Sequence, residues 1–106
     1  MNDKILTLLG FAAKAGKLSY GFDSVCTALS QKKSKLVLTA NDVSVKSQKE
    51  VLYFCDKYKT TSIVLQNHNM EVISHAVGKK CGVLSVNDES FAQGLMSTIN
   101  SREELK

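Results

Sequence analysis

Ile5, Leu8, Leu9, Ala12 and Ala13 recur at the spacing of one helical face, which predicts an amphipathic first helix ended by Gly16. A short extended link at Lys17–Ser19 follows, and Gly21 opens a second helix with Phe22, Val25, Leu29 and Cys26 on its inner side. KLVLT, residues 35–39, reads as a strand, and ANDVS after it as a turn. Ser47 and Glu50 are spaced as a capping box for a third helix that turns Val51, Leu52, Cys55 and Tyr58 inward. SIVL, residues 62–65, is the next strand. QNHN then supplies capping residues for a helix through Met70, Ile73, Ala76 and Val77. A basic turn, Gly78–Gly82, leads into the strand GVLSV. Asn87 is placed to cap a last helix carrying Phe91, Leu95 and Ile99, with Asp88 and Glu89 where the helix dipole favours negative charge.

Strands alternating with helices imply crossover connections, and strands apolar on both sides need helices on both faces. The expected fold is therefore α/β, a three-layer α/β/α sandwich around a small, mixed but mainly parallel sheet of about four strands. At 106 residues one domain is expected, spanning 1–101 and followed by a charged tail, 102–106. A hydrophobic fraction of 43 % is enough for a core without disulfides or metal.

Charge placement adds more than its total. Residues 1–50 carry eight lysines against Asp3, Asp23, Asp42 and Glu50, whereas residues 51–106 carry six basic and six acidic groups. The whole excess lies in the first half, around Lys14, Lys17, Lys32, Lys33 and Lys35. Such asymmetry suits a polyanionic partner, and a solvated lysine-rich surface explains it nearly as well. No apolar run reaches membrane-spanning length, and MNDKILTLLG lacks the features of a signal peptide. A cytoplasmic protein with no membrane partner is expected.

Candidate chemistry narrows by elimination. Five residues separate Gly10 from Gly16, Leu18 follows Lys17, and a helix rather than a strand comes before. A nucleotide-binding P-loop needs four residues between the glycines, Ser or Thr after the lysine and a strand before them. Cys26, Cys55 and Cys81 form no Cys-x-x-Cys pair, so they read as small buried hydrophobes. Cys81 is the partial exception, because Lys79 and Lys80 would stabilise its thiolate. His68 and His75 are seven apart, unlike helical metal ligands, and read as surface or capping residues. Asp42 follows a strand end, but Asn41, Asp42 and Ser44 also suit an Asx turn. No catalytic set, metal site or cofactor motif is visible, and an enzyme is not expected.

Two glycine-flanked basic turns remain, one at Gly16-Lys17 through Gly21 and the other at Gly78-Lys79-Lys80-Cys81-Gly82. Glycines allow close backbone approach, and a helix N-terminus offers free N–H groups to phosphate. Both turns lie at one end of the sandwich if the strands beside them run suitably. Tyr20, between Ser19 and Gly21, is either a stacking platform or a packing residue at a hinge.

GKLSYGFDSVCTAL, SKLVLTANDVS and NMEVISHAVGKKCGVLSV, in this order, resemble the kink-turn-binding ribosomal-protein family. That family includes the archaeal seven-Ae and eukaryotic thirty large-subunit proteins, and bacterial homologues of the YlxQ type. The likeness runs from about residue 3 to residue 97. It implies an α/β/α sandwich that grips a sharply bent RNA loop through the start of the second helix. There the family carries glycine, a variable residue, asparagine and glutamate, with a lysine one turn later. The matching positions are Gly21, Phe22, Asp23 and Ser24, with Thr27 in place of the lysine. Only the glycine is kept. Asp23 can accept from a guanine edge but lacks the amide donor, Ser24 reaches less far, and Thr27 removes a cation.

The family's second contact, the turn before the last strand, corresponds to Gly78–Gly82. The resemblance thus implies a non-catalytic RNA-binding protein that recognises kink-turn-like RNA, ribosomal or ribosome-associated. Its expected contacts are Lys17, Gly21, Phe22, Asp23, Ser24, Thr27, Lys32, Lys33, Lys79, Lys80, Cys81 and Gly82. Structured RNA, in particular ribosomal RNA, is the expected partner, with the ribosome or translation factors beside it. No DNA partner is expected, and a monomer is. A protein-interaction module of the same fold is the alternative that the altered Asp23-Ser24-Thr27 edge leaves open.

Overall fold

The computed structural model describes residues 3–100, so the expected tail lies outside the described residues. The elements are α1 (Lys4–Lys14), β1 (Leu18–Tyr20), α2 (Phe22–Ser30), β2 (Leu36–Thr39), α3 (Val45–Lys57), β3 (Ser62–Val64), α4 (Met70–Val77), β4 (Val83–Val86) and α5 (Glu89–Ile99). The four strands form one mixed sheet in the order β1-β4-β2-β3. Alternation sorts its side chains between two cores. Leu36, Leu38, Leu84 and Val86 meet Ile5 and Leu9 of α1, Ile73 of α4, and Leu95 and Ile99 of α5. Val37 and Val83 meet Val25 and Leu29 of α2 with Val51 and Cys55 of α3 on the other face. Each fully buried aliphatic side chain contributes roughly 1.5–3 kcal/mol. The three-layer α/β/α sandwich is as expected.

Strand direction is not. Only β2 and β3 pair in parallel, while β4 runs antiparallel to both β1 and β2, so the sheet is mainly antiparallel. The reason lies in α4. A parallel crossover must deliver the chain to the opposite end of the sheet, as α2 does between β1 and β2 in nine residues, so what matters is how α4 ends rather than its eight-residue length. Gly78 then ends it in the left-handed conformation, φ 76°. The Ser74 hydroxyl holds the Cys81 N–H at 3.0 Å and the Cys81 carbonyl at 3.1 Å, tying the returning chain to the helix. The segment enters β4 from the end where β3 left.

The link at Lys17–Ser19 is in fact an edge strand, anchored because Lys17 accepts from the Asn87 N–H and Gly21 donates to the Val83 carbonyl. Two caps also move. Ser44, not Ser47, caps α3, accepting from the Ser47 N–H, so the helix starts earlier than the capping box implied. Asp88, not Asn87, caps α5. The Asn87 side chain is spent on a hydroxyl chain instead, its Oδ1 2.7 Å from Ser85 Oγ and its amide donating to Ser19 Oγ at 2.9 Å. Ser34 and Ser85 hydroxyls lie 2.6 Å apart. With one hydrogen each, the chain closes when Ser34 donates to Ser85 and Ser85 to Asn87. Leu52 is 50 % exposed, against expectation. Val51 and Cys55 occupy the inner stripe of α3, and Leu52 lies about 100° away around the helix.

His68 is buried, not superficial. Its Nε2 is 2.8 Å from Asp3 Oδ2, joining the loop before α4 to the start of α1, which Asp3 also caps through the Leu6 N–H. Burial raises the Asp3 carboxyl, but hydrogen bonds from His68 and the Leu6 N–H outweigh it and hold the carboxyl below its ordinary value. A depressed carboxylate stabilises the fold above its unfolded pKa, and that contribution is lost as pH falls through the folded one. Asp3→Asn keeps an N-capping oxygen and removes the charge. It should lower stability at neutral pH by no more than about 1 kcal/mol, since half-exposed pairs are screened. Thermal unfolding checks this, with the gap to wild type closing below about pH 4.

Candidate nucleic-acid interface

Gly21 starts α2 at φ 87°, ψ 161°, a conformation essentially reserved for glycine. No side-chain cap covers this helix start, and the space where a Cβ would stand is open to 4 Å. The first N–H groups of α2 and the helix dipole are therefore accessible to an approaching acceptor. Asp23 lies exposed in that first turn. Phe22 turns away and packs edge-to-face on Phe54 of α3, with centroids 5.7 Å apart, which fixes the orientation of the helix start.

The turn Gly78–Gly82 comes to the same end. Gly21 donates to Val83 just beyond it, and Lys79 Nζ stands 5.3 Å over the Tyr20 ring. Tyr20 is half-buried against the core, so it packs and still presents a face to the lysine. Lys79 and Lys80 line a cavity of about 590 Å³ with Asp42, Glu71 and His75. Asp42 Oδ1 accepts from the Met70 N–H at 2.9 Å and thereby positions α4. Cys81 is 5 % exposed. Burial pushes its thiol up, and Lys79 and the Ser74 hydroxyl offset this only in part, so the expected thiolate is not supported. Gly82 is closely packed, because a Cβ there would stand 2.9 Å from Val43 Cγ2 and 3.1 Å from Met70 Cγ and would force those side chains to shift.

A groove of about 460 Å³ runs along α2 beside the β1 edge. Asp23, Ser24, Thr27 and Lys33 share it with Ser19 and Asn87, two polar residues that sequence reasoning had not placed in an interface. Asn87 shows no surface signal in the sequence, since its position reads as a cap. Thr27 is back-bonded to the Asp23 carbonyl at 3.1 Å. Lys17 and Lys32 do not join Gly21, because the chain places them at the far end of β1 and α2. Lys17 lies four residues from Gly21, about 13 Å along an extended strand. Among the described residues, no three His, Cys, Asp or Glu side chains gather as a metal site, and no helix is long and apolar enough to cross a membrane.

Comparison with known proteins fits this geometry. Residues 3–96 match the ribosomal protein L7Ae/L30e/S12e/Gadd45 family. The RNA-binding protein YlxQ of Bacillus subtilis (strain 168) is 32 % identical over 94 residues, covering 88 % of this chain and 92 % of that protein. The large ribosomal subunit protein eL30 of Candida glabrata is 37 % identical over 82 residues, covering 76 % and 77 %. A protein of unknown function from Bacillus halodurans C superposes with a TM-score of 0.87 at 30 % identity, over 93 % of this chain and 99 % of that one. The Giardia lamblia 15.5kD RNA binding protein shares the fold at a TM-score of 0.75 and 14 % identity, over 100 % and 93 %. The chain belongs to the ribosomal protein L7Ae/L30e/S12e/Gadd45 family.

Proposed function

We propose that this protein is a non-catalytic RNA-binding protein of ribosomal type that recognises kink-turn-like RNA, ribosomal RNA being the foremost target. It acts as a cytoplasmic monomer, beside the ribosome or translation factors. The observation that carries this reading is the uncapped, positive-φ helix start at Gly21, open to 4 Å, next to the turn bearing Lys79 and Lys80. A phosphate or base edge can approach the α2 N–H groups without meeting a side chain at Gly21. Asp23 accepts from a base donor, Ser24 and Thr27 line the path of the strand, and Lys79 and Lys80 meet phosphates. Phe22, Cys81 and Gly82 serve the interface by holding the helix and the turn in place. Backbone contacts would set the register and the base edge would supply discrimination.

Titration of a doubly end-labelled kink-turn RNA without magnesium tests the proposal. Submicromolar protein should shorten the end-to-end distance, and a duplex with disrupted guanine–adenine pairs should not respond. Equal, weak and salt-sensitive binding to both RNAs would overturn the kink-turn reading. It would favour a protein-interaction module instead, for which Val45, Leu52 and Tyr53 form an exposed face on α3.

A further inference from the structure

The sheet end opposite Gly21 carries its own concentration of positive charge. The start of β1, the end of β4 and the starts of β2 and β3 converge there. Lys17 accepts from the Asn87 N–H, Lys35 donates to the Val86 carbonyl, and Val37 donates to the Thr61 carbonyl just after Lys59. Lys32 and Lys33 follow the end of α2 on the same side. Five lysines, at 17, 32, 33, 35 and 59, thus border an end about 15 Å wide, four strands at their usual spacing. Among the described residues none of the five forms an ion pair. Of the acids nearby, Asp88 is held as the α5 cap, Glu89 receives the Gln93 amide, and Asp56, whose carbonyl accepts from the Lys59 N–H, is a single exposed carboxylate against five lysines.

Backbone conformation singles out two of the five. Lys32 at φ 61° and Lys59 at φ 57° are the described non-glycine residues with positive φ. Each follows a helix, α2 or α3, at a position where glycine relieves strain. Cations near helix C-termini gain something from the dipole, but both positions hold charge at a conformational cost. The groove along α2 joins this end to the Gly21 end, since Asp23 and Ser24 line one part of it and Gln31, Lys33 and Asn87 another.

We propose that Lys17, Lys32, Lys33, Lys35 and Lys59 form a second RNA contact, separate from the kink site, that holds the phosphate backbone of a helical stem flanking the kink. It rests on the RNA-binding reading above and adds affinity without sequence information. Lysines on an end this wide suit a duplex backbone, which presents closely spaced phosphates. The route along α2 delivers the stem to them.

The test compares three RNAs with the same kink, one with minimal stems and two in which one stem or the other is lengthened by a helical turn. The proteins are wild type and the triple variant Lys32→Gly, Lys35→Gln, Lys59→Gly. Wild type should bind one of the lengthened RNAs about tenfold more tightly at low salt. The slope of log affinity against log salt should steepen by roughly 4–5, since five further contacts release counterions at about 0.9 each. The triple variant, which keeps Lys17 and Lys33, should lose most of that gain, keep wild-type affinity for the short RNA, and melt no lower than wild type because glycine relaxes both turns. Equal wild-type affinity and slope for all the RNAs overturns the proposal, as does a variant that retains the stem-length gain. Loss of kink-dependent binding to the short RNA by wild type itself would instead overturn the proposed function. That failure appears in a different measurement.

Discussion

Replacing Gly21 by alanine should damage both the fold and RNA binding, and binding should suffer more than the fold. Open space around the position means that the added methyl meets nothing within 4 Å. The cost to stability is therefore backbone strain alone, about 1–3 kcal/mol for an L-residue held at φ 87°, ψ 161°. A domain of this size should lose roughly 4–8 °C in melting temperature per kcal/mol. Against a typical stability of about 5–15 kcal/mol, the variant stays folded at 25 °C. Loss of affinity there reports on the interface. The methyl would occupy the close approach to the α2 N–H groups, so kink-turn RNA affinity should fall at least about tenfold, 1.4 kcal/mol. Calorimetric melting beside an RNA titration separates the two effects. A destabilised variant with wild-type RNA affinity would mean that Gly21 serves only the turn from β1 into α2.

Asp23→Ala should weaken kink-turn binding by about 5- to 150-fold while leaving the disrupted duplex unaffected, the 1–3 kcal/mol of a good base-edge contact. Stability should fall far less, by about 0.3–1 kcal/mol, since Asp23 is exposed and interacts with the dipole in the first turn of α2. Asp23→Asn retains an acceptor oxygen, gains an amide donor and removes a negative charge from a phosphate-facing edge. It should bind at least as tightly as wild type. Equal affinities for wild type and Asp23→Ala would reduce Asp23 to a helix-start residue, and the base-reading role would fall.

Much of the candidate interface is legible from short-range chemistry. Gly21 before an apolar helical stripe signals a special turn, and Gly78-Lys79-Lys80 signals a basic reversal. The structure brings these together through the Gly21–Val83 hydrogen bond and the Lys79–Tyr20 contact. Lys17, Lys32 and Lys33 look equally close in sequence to the opening glycines. A strand and a helix each traverse the sheet between them, so three-dimensional order divides the lysines into two groups. His68 reads as a polar loop residue, and its burial depends on Asp3, sixty-five positions away. No local pattern encodes such a pairing.

The sequence by itself determined the five helices and three of the four strands, most of each helix face, the two-sided core and the layer architecture. Each follows from a period of 3.6 or 2 within one segment, and burial rewards that period whatever the neighbours are. Only the tertiary structure decided strand direction, the edge strand β1, the burial of His68 and the separation of the basic groups. Whether β4 runs parallel or antiparallel depends on where a single chain reversal leaves the backbone. At Gly78–Cys81 that is set by one left-handed glycine and one serine hydroxyl gripping both backbone groups of Cys81. Such contacts are long-range or conformational, and they leave hydrophobic periodicity unchanged.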